Sequence, residues 1–295
     1  MLKLVMVLSY PLRRIFGSGV GNIRFLKWAF SRIVNTIPAK YIVVKANGYK
    51  LGMTVGRNRG FDSMASGLMF GRGYEIGTTQ TFKKVVKPNM RVVDIGAHIG
   101  YYTVLASKLV GDNGKVWAFE PEPRNYSELL KNIALNQLNN VVAAPYAIGN
   151  KIQKRELFYS TKWSGECSLV EIRQRPRDSI PVEVITLDHA LDGEKIDVIK
   201  IDVDGGELMA LEGAGEVINR NPDIKLFIEC WKYGLEGAGC SCLNFMSALR
   251  SYGFKYIYTI TEHSGIARLA SNQDVGEYLK KADGINLLCS KKKWI

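Results

Sequence analysis

The sequence predicts an α/β protein with a mostly parallel, doubly wound sheet and helices on both of its faces. Two observations carry the prediction. Residues 91–137 read as strand, glycine turn, helix, tight turn, second strand and second helix, the βαβ order that ligand-binding α/β sheets use. Downstream, apolar runs at 141–144, 196–201, 224–228, 255–260 and 285–289 are interleaved with helical patterns at 207–219 and 242–252. Such alternation makes a largely parallel sheet. At 295 residues and 46% hydrophobic content, the chain suffices for one large domain or a core with an appendage.

Residues 1–12 are apolar but short. They are broken by Ser9 and Pro11 and run into Arg13 and Arg14 without a small-residue cleavage site, so no signal peptide is expected. No uncharged apolar run reaches the roughly eighteen residues a spanning helix needs. Leu26, Ala29, Phe30, Ile33 and Ile37 share one face of residues 23–37, Arg24, Lys27 and Arg32 lie off it, and Pro38 stops the pattern. A basic amphipathic helix is expected there, packing on the domain or lying in a membrane interface with Trp28 at headgroup depth. Segments 41–46 and 49–55 flank Asn47-Gly48, a hairpin signal. Residues 57–72 are glycine-rich and read as a loop or cap, and a helix at 78–86 follows Gly73-Tyr74-Glu75 and ends before Pro88. The expected organisation is a basic segment at 1–39, a hairpin and lead-in at 40–90, and the ligand-binding domain at 91–295. Within that domain, 147–149 reads as an exit turn. Segments 154–159 and 182–186 read as extended and are separated by a basic loop with Arg173, Arg175 and Arg177. The pair 255–260 and 285–289 is expected at an antiparallel edge.

The formal charge of +12 is concentrated: residues 1–60 hold eleven Lys or Arg and no acid, and the remainder is nearly balanced. Such a segment implies an anionic neighbour, whether membrane lipid, nucleic acid or a phosphorylated substrate, or else a solvated basic face. The five cysteines are scattered, and Cys240-x-Cys242 has no second pair for zinc, so they read as reduced thiols. The expected location is cytoplasmic, with peripheral contact to the inner face of the membrane through residues 1–38.

The glycine turn points to the ligand. A dinucleotide fold wants G-x-G-x-x-G, whereas this chain has D-x-G-x-x-x-G at Asp94, Gly96 and Gly100. A turn that cradles no pyrophosphate can dispense with the third glycine. A carboxylate on the strand end suits a cationic amino-acid group better than a phosphate, which disfavours NAD. Glu120, at the tip of the second strand, is placed to accept both ribose hydroxyls. Together these residues fit S-adenosylmethionine, which carries a sulfonium, an ammonium and a free ribose; a glycine-containing turn without a ligand is the alternative.

Several further runs carry a resemblance: residues 92–103, Phe119-Glu120-Pro121-Glu122-Pro123, Asn132-Ile-Ala-Leu-Asn136, Ala147-Ile-Gly149, Ile185-Thr-Leu-Asp188, and residues 196–205. As an ordered set over roughly residues 74–231, the chain resembles the FkbM family of S-adenosylmethionine-dependent methyltransferases. The resemblance implies a class I, Rossmann-like core with a seven-stranded sheet, here preceded by the basic helix and hairpin. It also implies O-methylation of a hydroxyl on a sugar or natural product. It carries cofactor contacts onto Asp94, Gly96, Gly100 and Glu120, onto Glu75 in the position of the family's Tyr-Glu pair, and onto Ala147 beside the adenine. His98, Tyr101, Pro121 and Asp202 join this set. The chain has His98 where the family usually has Asn, and Asp204-Gly205-Gly206 where it usually has Glu-Gly and a small spacer.

An alcohol acceptor benefits from a general base within hydrogen-bond reach. Asp202, closing the fourth strand, is the first candidate, with Glu229 at the end of the fifth strand and His98 in the glycine turn as others. His189 and His263 sit in less constrained contexts. Asp202 could equally cap the following helix or position the cofactor, and His98 could simply touch it. Asp202, Asp204, Glu207 and Glu229 could instead hold a hard divalent cation, although no metal is expected. The expected function is therefore O-methylation of a glycan, glycolipid or related metabolite. RNA or DNA methylation is the alternative, favoured by the basic N-terminus. Against it, the fourth strand opens into Asp-Val-Asp-Gly rather than an Asn/Asp-Pro-Pro-aromatic loop. A non-catalytic membrane-associated module is a third reading.

Overall fold

The computed structural model describes residues 36, 38–56, 63–69, 71, 73–160, 165–172, 178–262 and 267–294. The expected basic helix at 23–37 with Trp28, the Arg173–Arg177 loop and His263 lie outside these residues, apart from Thr36.

The chain opens with the expected hairpin, β1 (Lys40–Ala46) and β2 (Tyr49–Val55), paired antiparallel through Asn47 and Gly48, both at positive φ. Helix α1 (Ser63–Met69) forms inside the stretch expected to be a loop, because Met64, Ala65 and Leu68 reach the core beneath the hairpin. Helix α2 (Ile76–Val85) follows Glu75. Then come β3 (Arg91–Ile95), α3 (Tyr101–Val110), β4 (Lys115–Phe119), α4 (Pro123–Leu135) and β5 (Val141–Ala144), the βαβαβ core expected from the sequence. Helix α4 starts cleanly: Pro123 opens it, and Glu122 accepts the Asn125 N–H at 2.8 Å.

The next stretch departs from expectation. Residues 147–149 are not an exit turn. Strand β6 (Ala147–Ile148) joins β7 (Gln153–Tyr159), β8 (Cys167–Ser168) and β9 (Asp178–Ile185) in a second sheet, ordered β6-β9-β7-β8. After α5 (Leu187–Ala190) and β10 (Val198–Ile201), the helix expected at 207–219 is two pieces, α6 (Glu207–Glu212) and α7 (Gly215–Arg220). The break falls at Gly213, where a Cβ would stand 1.9 Å from the Gly149 carbonyl oxygen. The chain closes with β11 (Lys225–Trp231), α8 (Lys232–Gly237), α9 (Cys242–Ser251), β12 (Tyr256–Ile260), β13 (Ala267–Leu269), α10 (Asn272–Leu279) and β14 (Gly284–Ser290).

The main sheet runs β13-β12-β14-β11-β10-β3-β4-β5. Seven of these strands are the expected set, and short β13 adds an eighth at the edge. Strands β11, β10, β3, β4 and β5 are mutually parallel, and β14 is antiparallel between β11 and β12. Side chains alternate across the sheet. Val93, Trp117, Ile199 and Leu226 pack in the core on one face, and Val92, Val116, Val198 and Phe227 in the core on the other.

The second core also seats the hairpin. Three side chains spaced four apart, Glu128 and Asn132 on α4 and Asn136 at its C-cap, meet alternate residues of β2. Glu128 accepts the Thr54 N–H (3.1 Å), Asn132 accepts the Gly52 N–H (2.6 Å) and donates to its carbonyl (2.8 Å), and Asn136 does both for Lys50 (3.1 and 2.7 Å). The spacings match, since four helical residues rise about 6 Å and two strand residues about 6.7 Å.

Candidate active site

A parallel sheet binds ligands beyond the carboxyl ends of its strands, where the order of connection reverses. Here that place lies where β3 is flanked by β4 on one side and β10 on the other. The β3–α3 turn is drawn tight: Gly96 and Ala97 both donate to the Phe119 carbonyl at 3.0 Å. Gly96 has φ +78, and a Cβ on it would meet the Asp202 carbonyl oxygen at 1.9 Å. Only glycine lets the turn lie this close to the end of β10.

The same turn organises Glu120. The His98 N–H, presented from a left-handed residue (φ 52), donates to Glu120 Oε2 at 2.7 Å, and the Glu122 N–H donates to Oε1 at 2.9 Å. Burial pushes the Glu120 carboxyl up to about 7, against the pull of those two donors.

A cleft of about 550 Å³, counting space open to solvent, is lined by Gly96, His98, Glu120, Pro121, Ala147 and Asp202. These are six of the expected site residues. Its apolar wall comes from Ile148, Leu157 and Leu169, on or beside the second sheet. Sequence reasoning missed this wall because it belongs to strands whose pairing is not local.

The remaining expected residues stand elsewhere. Asp94 is 2% exposed and is not part of the cleft lining; Thr103 Oγ1 donates to its Oδ2 at 2.6 Å, and among the described residues its Oδ1 has no hydrogen-bond partner. Gly100 (φ +93) packs on Leu129, where a Cβ would stand 2.7 Å from Leu129 Cδ1. The Tyr101 side chain points away from the cleft. Its ring faces the hairpin and α2, packed edge-on to Tyr49 and Tyr74, with its hydroxyl bonded to Asn47 (2.8 Å) and Thr79 (3.0 Å). That side chain seats the hairpin and does not face the cleft.

Glu75, Asp94 and Asp202 converge instead on a residue that the sequence reading passed over as part of an apolar strand, Lys200. Its Nζ lies 2.7 Å from Asp202 Oδ2 and 4.5 Å from the centre of the Tyr102 ring. Tyr102 donates to Glu75 Oε2 at 2.8 Å. Burial pushes Glu75 up to about 7, with Lys200 pulling the other way. Burial, followed by the charges of Asp202, Asp204 and Glu207, raises Glu229 well above the usual carboxylate range.

The loop after β10 is fixed internally. Glu207 Oε1 accepts the Val203 and Gly205 N–H groups at 3.2 and 3.1 Å, and Asp204 (φ 52) accepts the Cys167 N–H at 2.9 Å. Gly205, at φ +107, abuts the Gly234 backbone, where a Cβ would meet Gly234 Cα at 2.7 Å. Asp204 and Glu207 thus serve backbone. Among the described residues, no group of three His, Cys, Asp or Glu stands where it could hold a metal ion.

The family model of the FkbM methyltransferase domain matches residues 94–256. Methyltransferase sdnD of Sordaria araneosa is 31% identical over 160 residues, 43% of this chain. The match spans 61% of the length of that curated relative. Among solved structures, an FkbM methyltransferase from Methylobacillus flagellatus aligns over 77% of this chain and 55% of its own, at 16% identity and TM-score 0.43. A SAM-dependent O-methyltransferase from Thermotoga maritima aligns over 86% and 79%, at 12% identity and TM-score 0.43. An rRNA methylase from Streptococcus thermophilus aligns over 73% and 95%, at 13% identity and TM-score 0.43.

Proposed function

The chain belongs to the FkbM methyltransferase family, and on that premise we propose that it is an S-adenosylmethionine-dependent O-methyltransferase acting on a hydroxyl of a glycan, glycolipid or related metabolite. The residues present fit the cofactor. Glu120 lines the cleft as an acceptor for ribose hydroxyls, and an apolar wall beside Ala147 suits a purine. Glu75, Asp94 and Asp202 set three carboxyls against one ammonium, an acidic surplus that favours a cation. Bound S-adenosylmethionine supplies a methyl group already activated by a sulfonium.

The protein's own part is to align donor and acceptor, exclude water and take a proton from the hydroxyl. Asp202 carries this reading. It lines the cleft at the end of β10, and Lys200 fixes one of its oxygens. Glu229 is absent from the cleft lining, which makes it the weaker candidate for the base. His98 reaches Glu120 through its backbone N–H and lines the cleft, which favours a contact role over proton transfer.

The experiment is calorimetric titration with S-adenosylhomocysteine, then methyl transfer from labelled S-adenosylmethionine to a panel of hydroxylated glycans and glycolipids. Binding by the wild type, with transfer lost in Asp202→Asn even at saturating S-adenosylmethionine, supports the reading. Normal turnover by that variant removes Asp202 as base. Labelling of RNA instead, weakening steeply with salt, points to a nucleic-acid acceptor. The eleven cations in residues 1–60 support contact with an anionic membrane surface. Unchanged liposome association after deletion of residues 1–38 would refute it. Among the described residues, no helix is long and apolar enough to cross a membrane.

A further inference from the structure

Lys200 is 4% exposed on a strand inside the main sheet, where an uncompensated ammonium would be strongly destabilising. The parallel register sets it beside Asp94 on β3 and Phe227 on β11, so all three side chains share one face. Asp202 lies two residues on along the same chain, its Oδ2 2.7 Å from the ammonium. Glu75 arrives from a third direction, at the entry to α2, held by the Tyr102 hydroxyl whose ring the ammonium faces. Glu75 is also a left-handed residue, at φ 41. Burial pulls the Lys200 pKa down, but Asp202, Glu75 and Asp94 outweigh it and raise it. The acids come from three separate elements, and one of them, Asp202, bonds the ammonium directly.

Resting on the reading that the cleft binds S-adenosylmethionine, we propose that Lys200 is a positioning residue: its ammonium holds the carboxylate of Asp202, which lines the cleft, toward the bound cofactor. It is absent from the cleft lining, so it acts through Asp202 and not by contact. The charge is what matters, not the volume. A packing role would rank substitutions the opposite way, because methionine nearly matches the lysine stem while arginine overfills a closed slot.

The test is calorimetric titration with S-adenosylhomocysteine of the wild type, Lys200→Met, Lys200→Arg, Asp202→Asn and Lys200→Met/Asp202→Asn. Lys200→Met is expected to weaken binding by about tenfold or more, and Lys200→Arg by about threefold or less. With Asp202 already neutral, Lys200→Met is expected to cost no more than about a further twofold, because the two residues act as one unit. Wild-type-like binding by folded Lys200→Met overturns the proposal. So does a better result for methionine than for arginine, or full additivity with Asp202→Asn. Should Lys200→Met fail to fold, Lys200→Met/Asp94→Asn is compared with Asp94→Asn, since neutralising Asp94 on the adjacent strand lowers the uncompensated acid left behind. Equal binding by those two overturns the proposal. Absence of binding by the wild type refutes the cofactor reading itself, a separate outcome.

Discussion

Replacing Glu120 with glutamine removes one ionisable carboxyl from the cleft while keeping its size. Burial has pushed that carboxyl from 4.5 up to about 7. Between those two values the folded state holds the proton and the unfolded chain does not, so stability is greatest at low pH and falls as pH rises through the folded pKa. Over pH 5 to 8 this group alone removes about 2.5 kcal/mol, reckoned at about 1.4 kcal/mol per pKa unit. Glutamine has no such dependence. Urea denaturation across that range is expected to show the stability difference between the proteins moving by about 2–3 kcal/mol in favour of the variant as pH rises. Cofactor binding runs the other way, because ribose hydroxyls donate to a carboxylate. About a tenth of Glu120 is ionised at pH 6 and about nine tenths at pH 8, so S-adenosylhomocysteine should bind the wild type about tenfold more tightly at pH 8. The variant should bind weakly throughout. Parallel stability profiles within about 0.5 kcal/mol, with pH-independent wild-type binding, would refute the reasoning.

Three further outcomes are expected. Gly96→Ala, with its Cβ directed at the Asp202 carbonyl and φ at +78, should cost about 2–5 kcal/mol by urea denaturation and impair binding of S-adenosylhomocysteine; a loss under about 0.5 kcal/mol would contradict the packing described. Asn132→Ala strands the N–H and carbonyl of Gly52 and the carbonyl of Ile99, and should cost about 2–4 kcal/mol. Of the half-buried thiols, Cys242, brought down to about 7 by a hydrogen bond from Cys230, should react first with iodoacetamide near neutral pH. S-adenosylhomocysteine should protect Cys167, which lines the cleft, and leave Cys242 reactive; mass spectrometry of labelled peptides reads both.

The parts of the fold and site that were legible in the sequence share a local physical cause. Gly96 and Glu120, which line the cleft, could be read because a strand-turn-helix imposes its residue types within a few positions. The hairpin could be read because Asn47-Gly48 fits one turn geometry. Lys200 escaped notice because a lysine among Val198, Ile199 and Ile201 was absorbed into an apolar pattern. The anomaly was the signal, since a lysine inside a buried strand implies partners. Of the second sheet, the extended segments 154–159 and 182–186 could be read, but not β6 and β8, which are two residues each and gain their form only from distant neighbours. Helix 207–219 was misjudged because Gly213 reads as a tolerated helical glycine until the Gly149 carbonyl is placed against it. Tyr101 sat within a matched run, but a run fixes a backbone, and its side chain can face either way.

The amide ladder from α4 has a consequence for the protein's solution behaviour. A two-stranded hairpin exposes two edges, each a template on which another chain could add a strand. On β2, the polar groups of Lys50 and Gly52 and the Thr54 N–H are already taken by side chains from a helix, which has no free strand edge to pass the pairing on. Asn132 and Asn136 therefore act as a stop as well as an anchor. Removing them should expose a recruiting edge, and aggregation would then come before any loss of the methyl-transfer core.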